Sequence, residues 1–162
     1  MNANQISEFR WISPLGISVI LFLLYGVMHV VVGILVPFFV RPDRLTSNTL
    51  LTSKRTDTSL FGAPPEALLA QSRPLGMLRY LMNSWIGGLM LGFGLLQLAI
   101  AWFGLREGQG WALWGLTAAD LSMVPFWGLI LARYGQAGAV PGPGELPPMV
   151  TYLVLIPVAA VL

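Results

Sequence analysis

Residues 15–40 form an unbroken apolar run that contains no Asp, Glu, Lys or Arg. A run longer than roughly 18 apolar residues is enough for a helix to cross the hydrocarbon core of a bilayer. In lipid every backbone polar group must be satisfied within the segment, so such a run commits the chain to a helix. It is also much longer than the roughly 7–15-residue core of a signal peptide, and no A-x-A cleavage pattern follows it, so it is expected to remain in the mature protein. Composition extends the constraint to the whole chain. Of 162 residues, 56% are hydrophobic and 10% charged, against about 25% charged in an ordinary soluble domain. The apolar residues fall into a few long runs, not the alternating segments of a lipid-facing barrel strand. The expectation is an all-α, polytopic integral membrane protein: a four-helix transmembrane bundle with a short interfacial helix, forming one domain over 1–162.

The punctuation along the chain places the spans. Residues 1–14 are polar and end at Trp11 and Pro14, an interface ring and a helix starter. The first span, about 15–40, stops at Arg41-Pro42. Residues 41–77 are polar and hold most of the basic side chains. Within them, 63–71 (APPEALLAQ) reads as a short helix with proline in its first turn, lying at the interface. A second helix begins near Pro74 and crosses lipid over about 78–104, with Arg79 and Tyr80 at its threshold. Residues 105–110 (LREGQG) form a tight polar turn. The third span covers about 111–132 and closes on Arg133-Tyr134, and the Gly- and Pro-rich residues 135–148 form a loop. The last apolar segment, 149–162, is shorter than the roughly 20 residues of a full crossing and reads as a partial span or one that continues beyond the sequence. No internal repeat links the two halves, which argues against an inverted-repeat transporter.

Orientation follows from the basic residues, which favour the cytoplasmic side of a span. Arg41, Arg44, Lys54, Arg55, Arg73, Arg79 and Arg133 belong to the two connections that share a side in a four-span layout. Only Arg10 and Arg106 lie on the other. The amino terminus is therefore expected outside, and 41–77 in the cytoplasm. Of the tryptophans, Trp11, Trp102 and Trp111 fall at the outer interface as belt residues, with Trp85 and Trp127 toward the inner half.

Several function classes are excluded by what the chain lacks. With no cysteine and a single histidine, thiol redox chemistry, iron–sulfur clusters and zinc sites have no ligand set. No phosphate loop, G-x-S-x-G elbow or H-E-x-x-H pair occurs, so no catalytic residue is assigned. A net charge of +2 with no Lys/Arg-rich stretch makes nucleic acid an unsuitable partner. Membrane lipids and other membrane subunits are the expected partners.

Two features carry what chemistry there is. In the second span Ser84, Gly88 and Gly92 recur every four residues, a small-residue stripe of the kind on which helices pack in lipid, flanked by Gly87 and Gly94. Intramolecular packing and a subunit contact are both open. The second feature is ionisable: only His29 and Asp120 lie deep within spans, and such residues are functional candidates. His29 precedes Arg41 by twelve residues and Asp120 precedes Arg133 by thirteen. At ~1.5 Å per residue both sit roughly 18–20 Å from the cytoplasmic ends, so they are expected to meet at one depth. Tyr25, Gly26, His29 and Gly33 share a helix face, as do Thr117, Asp120, Val124 and Trp127. Pro125 brings no N–H to the carbonyl of Leu121, which predicts a kink beside Asp120. Three readings of the pair stay open. It is a structural clasp in which Asp120 accepts from His29, Tyr25 or Thr117. It is a pocket for a lipid, quinone or other small molecule, or a proton path. Or His29 is an axial ligand to haem or chlorin. Gln97 and Asn83 read as helix glue.

The stretch 92–114, which opens GFGLL and ends AWFGLREGQGWALW, is an apolar span, an Arg-containing turn and a W-A-x-W start. With the four-span layout it resembles the small four-helix bacterial membrane proteins called DoxX-like. The resemblance covers about a quarter of the chain and implies a bacterial plasma membrane and an association with quinone-linked enzymes. No functional residue is carried over from it. The leading expectation is a non-catalytic accessory subunit packed against a larger membrane complex; the alternative is a small-molecule-binding membrane protein using His29 and Asp120.

Overall fold

A computed structural model describes residues 9–39, 50 and 52–161. The expected stop at Arg41-Pro42, and Arg44 with it, lies outside the described residues. The described residues form helices and turns without a strand. Helix α1 runs Pro14–Phe39. Its start is set by Ser13, whose hydroxyl accepts from the amide of Gly16 at 3.0 Å, with Pro14 in the first turn where its missing N–H costs nothing. Two short helices follow, α2 at Lys54–Phe61 and α3 at Pro65–Gln71. Helix α3 is the short helix read from the sequence; α2 is an addition. Its ends are marked by Ser53, which caps Thr56, and by Gly62, whose φ of 74° suits the left-handed residue that ends a helix.

Helix α4 spans Arg73–Phe103, capped by Ser72 and carrying Pro74 in its first turn. A 3₁₀ turn, Leu105–Glu107, leads to Gly108 at φ 72°, the tight turn expected over 105–110. The third apolar segment departs from a single rod: α5 covers Gly110–Leu121 and α6 covers Val124–Gln136. The interruption falls where Pro125 withholds an N–H from Leu121. There the Ser122 hydroxyl donates back to the Ala119 carbonyl at 2.6 Å.

The carboxyl-terminal segment is also divided, into α7 at Pro148–Thr151, a 3₁₀ turn at Tyr152–Val154 and α8 at Leu155–Val161. Pro157 has no N–H for the carbonyl of Leu153, where the chain tightens. Three helices among the described residues are long and apolar enough to cross a membrane: Pro14–Phe38, Arg73–Glu107 and Gly110–Gln136.

The packing is built on α1 against α4, antiparallel and very close. A Cβ on Gly33 would lie 2.6 Å from the Leu91 nitrogen and 2.7 Å from the Gly87 oxygen; one on Gly94 would lie 2.8 Å from the Gly26 oxygen. Glycine is required at this crossing because the two backbones touch. The stripe at Ser84, Gly88 and Gly92 does not form the α1–α4 crossing. Gly88 and Gly92 are exposed, and a Cβ on either meets nothing within 4 Å. The difference is one of helical phase. The crossing uses positions seven apart, Gly87 and Gly94, which point about 100° away from Gly88. The rest of the core joins Val19, Phe22 and Tyr25 of α1 to Ala101 of α4, Leu105, Ala112 and Leu116 around α5, and Ile156 and Ala159 of α8. Ser18 donates to the Ala159 carbonyl at 2.6 Å, tying α8 to α1.

The two ends of the bundle are distinct. At one, Trp11 and Trp102 lie 6.2 Å apart and the Arg106 guanidinium sits 4.5 Å over the Trp102 ring. At the other, α2 meets the end of α6. The Tyr134 hydroxyl donates to Asp57 at 2.6 Å, and Arg55 pairs with Glu145 at 2.7 Å. Arg55, with the Gly142 amide and the Ser53 hydroxyl, holds the Glu145 carboxyl well below the usual range, at about 2. These contacts place the 50–72 connection and the 137–147 loop together at one end of the bundle.

Candidate functional site

Helices α1, α4 and α5 bring a set of polar side chains into the apolar interior. The glycine crossing positions them. His29 lies between Gly26 and Gly33 on the contact face of α1, and an added Cβ at Gly94 would stand 2.9 Å from the His29 Cβ. Its ring meets Tyr25 edge-on at 4.6 Å and Phe93 of α4 at 5.2 Å. One turn beyond Phe93, Gln97 projects toward α5, where Thr117 and Asp120 occupy the last turns before the break. His29 and Asp120 are fully buried, Gln97 is 2% exposed and Thr117 8%.

The hydrogen bonds can be assigned from chemistry alone. His29 Nδ1 lies 2.9 Å from the Tyr25 carbonyl oxygen. A carbonyl only accepts, so Nδ1 carries the hydrogen, and in the neutral ring Nε2 is a bare acceptor. The Gln97 Nε2 donates to Asp120 Oδ2 at 3.1 Å and to the Phe22 carbonyl at 3.4 Å. Turning the amide over would set its oxygen against two other oxygens, which fixes its orientation. Asp120 also lies within electrostatic reach of the Tyr25 hydroxyl. At this interface four buried atoms make no hydrogen bond to the described residues: His29 Nε2, Gln97 Oε1, Thr117 Oγ1 and Asp120 Oδ1.

His29 and Asp120 thus belong to one three-helix interface, but no hydrogen bond joins them. The donor to Asp120 is Gln97, and Thr117 makes no bond to it. The amide of Gln97 bridges α1, α4 and α5 at once. The signal for this was present: a lone amide in an otherwise apolar stretch. What one chain segment cannot show is which neighbouring helix it faces.

A second buried carboxylate supplies the contrast. Asp57 is fully buried, yet it accepts from Tyr134 and, at 3.3 Å, from the amide and hydroxyl of Thr52. That network is satisfied and reads as a staple between α2 and α6, whereas unsatisfied buried groups call for an explanation. Among the described residues, no group of three His, Cys, Asp or Glu is placed to hold a metal ion. The chain matches no protein-family model, no curated protein and no solved structure.

Proposed function

We propose that this chain is a helical integral membrane protein that holds a small amphipathic molecule at the polar site formed by His29, Gln97, Thr117 and Asp120. The observation that carries it is the set of four buried polar atoms without partners. Each such group costs about 1–3 kcal/mol if left empty-handed. A ligand that completes the bonds removes that cost. The site lies at the junction of three helices and beside a broken one, an arrangement in which membrane proteins accommodate polar groups.

Membrane insertion is supported by the outer surface, where Val31, Leu81, Trp85, Phe126 and Leu129 are all exposed. Such an apolar exterior suits lipid and not water. The proposed layout has α1, α4 and the α5–α6 rod as spans, with the α7–α8 segment packed against α1 and α5 as the fourth member of a bundle in a bacterial plasma membrane. The end carrying Lys54, Arg55, Arg73, Arg79 and Arg133 faces the cytoplasm and the amino terminus faces outward. Cysteines introduced at Ser53 and Gln109 are expected to label from opposite sides in intact cells, Gln109 from outside. Labelling of both from outside overturns the orientation.

The test of the proposed function is purification in mild detergent followed by extraction. A stoichiometric small molecule, whether lipid, quinone or pigment, is expected by mass spectrometry, and absorbance separates haem or chlorin from the rest. Preparations that repeatedly yield the folded chain with no bound molecule refute the reading. A second reading, an accessory subunit packed against a larger membrane complex, is favoured by the outward position of Gly88 and Gly92 on α4. Its mark in the same preparation is a stoichiometric partner protein, and a monodisperse particle of one or two chains rejects it.

A further inference from the structure

Two of the open atoms at this junction belong to groups that are already joined. Gln97 Nε2 donates to Asp120 Oδ2 at 3.1 Å, while Gln97 Oε1 and Asp120 Oδ1 make no hydrogen bond to the described residues. Both are oxygens, and neither brings a hydrogen while Asp120 is a carboxylate. The second amide hydrogen of Gln97 is directed at the Phe22 carbonyl at 3.4 Å. With Oε1 on the Phe22 side, acceptor would stand beside acceptor, so the amide oxygen belongs on the side of Asp120. One hydrogen between the two oxygens then satisfies both.

Charge balance asks for the same hydrogen. Asp120 is fully buried, and among the described residues no Lys or Arg pairs with it. An isolated carboxylate in an apolar interior is so costly that such a group takes up a proton instead. The ionisable groups that α1 brings to the junction are Tyr25, whose hydroxyl lies within electrostatic reach, and His29. Neither supplies a countercharge: a phenol is neutral, and an imidazolium would need an acceptor at Nε2, which has none. On α4 the ionisable side chains, Arg73, Arg79 and Tyr80, lie at the far end from Gln97. Helix α8 has none, and on α5 there is only Asp120 itself.

We infer that Asp120 is a proton-binding site: the neutral acid donates from Oδ1 to Gln97 Oε1 while Oδ2 accepts from Gln97 Nε2, closing a ring of two hydrogen bonds between α4 and α5. The proton fastens α5 to α4 one residue before α5 ends at Leu121. Its loss sets two oxygens against each other and leaves a charge in the interior, which loosens that contact. The inference goes beyond the small-molecule reading and does not require a ligand. His29 Nε2 and Thr117 Oγ1 stay open, and a protonated carboxyl keeps acceptor capacity beside its O–H.

The test is infrared spectroscopy of the purified full-length chain in detergent at neutral pH. The wild type is expected to show the carbonyl band of a protonated carboxylic acid, moved by exchange into deuterium oxide and absent from Asp120→Asn. No such band, or one that remains in Asp120→Asn, overturns the inference. Gln97→Met keeps the acid and removes its partner, so its band is expected to move to higher frequency or vanish; an unchanged band overturns the ring. Stability is the second readout. The folded chain holds a proton that the unfolded chain releases, so stability falls as the pH rises. Between about pH 6 and about pH 9, where exposed carboxylates stay ionised, the wild-type unfolding constant in mixed micelles is expected to rise about threefold or more relative to Asp120→Asn, the effect of one interhelical hydrogen bond. His29 is present in both chains, so the difference isolates Asp120. Equal pH dependence in the two overturns the coupling of the proton to the α4–α5 contact. The wild-type spectrum needs no substitution, so a variant that fails to fold does not remove the test. Neither readout involves a bound molecule, which keeps this result separate from that of the ligand reading.

Discussion

Gly33→Ala is expected to loosen the α1–α4 pair by about 1–3 kcal/mol, the ordinary cost of overpacking a filled interface, whereas Gly88→Ala and Gly92→Ala on the same pair of helices are expected to change stability by less than about 0.5 kcal/mol. The asymmetry follows from what each new methyl meets. At Gly33 it falls 2.6–2.7 Å from the backbone of Leu91 and Gly87. Backbone atoms have no rotamer with which to move aside, so relief requires the helices to separate. Separation also draws His29 away from Phe93 and Gly94, so loss of bound ligand is expected to accompany the loss of stability. At Gly88 and Gly92 the methyl enters open space. Unfolding in mixed micelles with increasing denaturing detergent measures the difference. If Gly33→Ala proves as silent as Gly88→Ala, the helices do not cross where the glycines indicate. A deleterious Gly88→Ala would instead show that this face is covered by another helix.

The second large effect is expected at Asp120, where stability and binding separate. In the proposed membrane layout residue 120 stays in lipid whether the inserted helices are packed or apart, so its transfer cost largely cancels. What remains is the Gln97 hydrogen bond, worth about 0.6 kcal/mol on average and up to about 1.7 kcal/mol between helices in a membrane. Asp120→Asn keeps an oxygen for Gln97 Nε2 and is expected to cost little. Asp120→Leu leaves that amide hydrogen unpaired and is expected to cost about 1 kcal/mol. For the ligand the order differs: Leu removes the free acceptor and is expected to abolish recovery of the bound molecule, and Asn, which offers an amide hydrogen in place of an acceptor, is expected to weaken it. Full retention of ligand in Asp120→Leu removes Asp120 from the site. The comparison is informative because Asn and Leu are both neutral and of similar size, so the pair differs in hydrogen bonding alone.

The legible part of the fold was the part governed by hydropathy and punctuation. The starts at Pro14 and Pro74, the turn over 105–110 and the short helix before Gln71 are each announced by residues acting within a few positions of themselves. Pro125 was legible too, as a predicted kink, and the helix is interrupted beside it, between Leu121 and Val124. The helix α2 was missed although Ser53 and Gly62 bracket it, since its eight residues are too polar to show a periodic apolar face and depend on Asp57 meeting Tyr134.

Of the candidate site, the residues were legible and their pairing was not. His29 and Asp120 are conspicuous because ionisable groups are rare in apolar runs, and their burial needs no knowledge of neighbours beyond that cost. Which groups they bond depends on the rotation of each helix about its axis. Hydropathy is nearly uniform around a helix that faces lipid on one side and helices on the other, so it carries little information about rotation. The small residues carry more, yet α4 offers two glycine series, Gly88 with Gly92 and Gly87 with Gly94, and local sequence ranks the first above the second. The sequence by itself determined a helical chain with runs long and apolar enough to cross a membrane, the points at which its helices start and break, and the identity of its buried ionisable groups. Only the tertiary structure decided that Gly87 and Gly94 form the crossing and that Gln97 is the partner of Asp120. Close backbone approach and hydrogen-bond donation are properties of two surfaces together, and neither surface specifies the other alone.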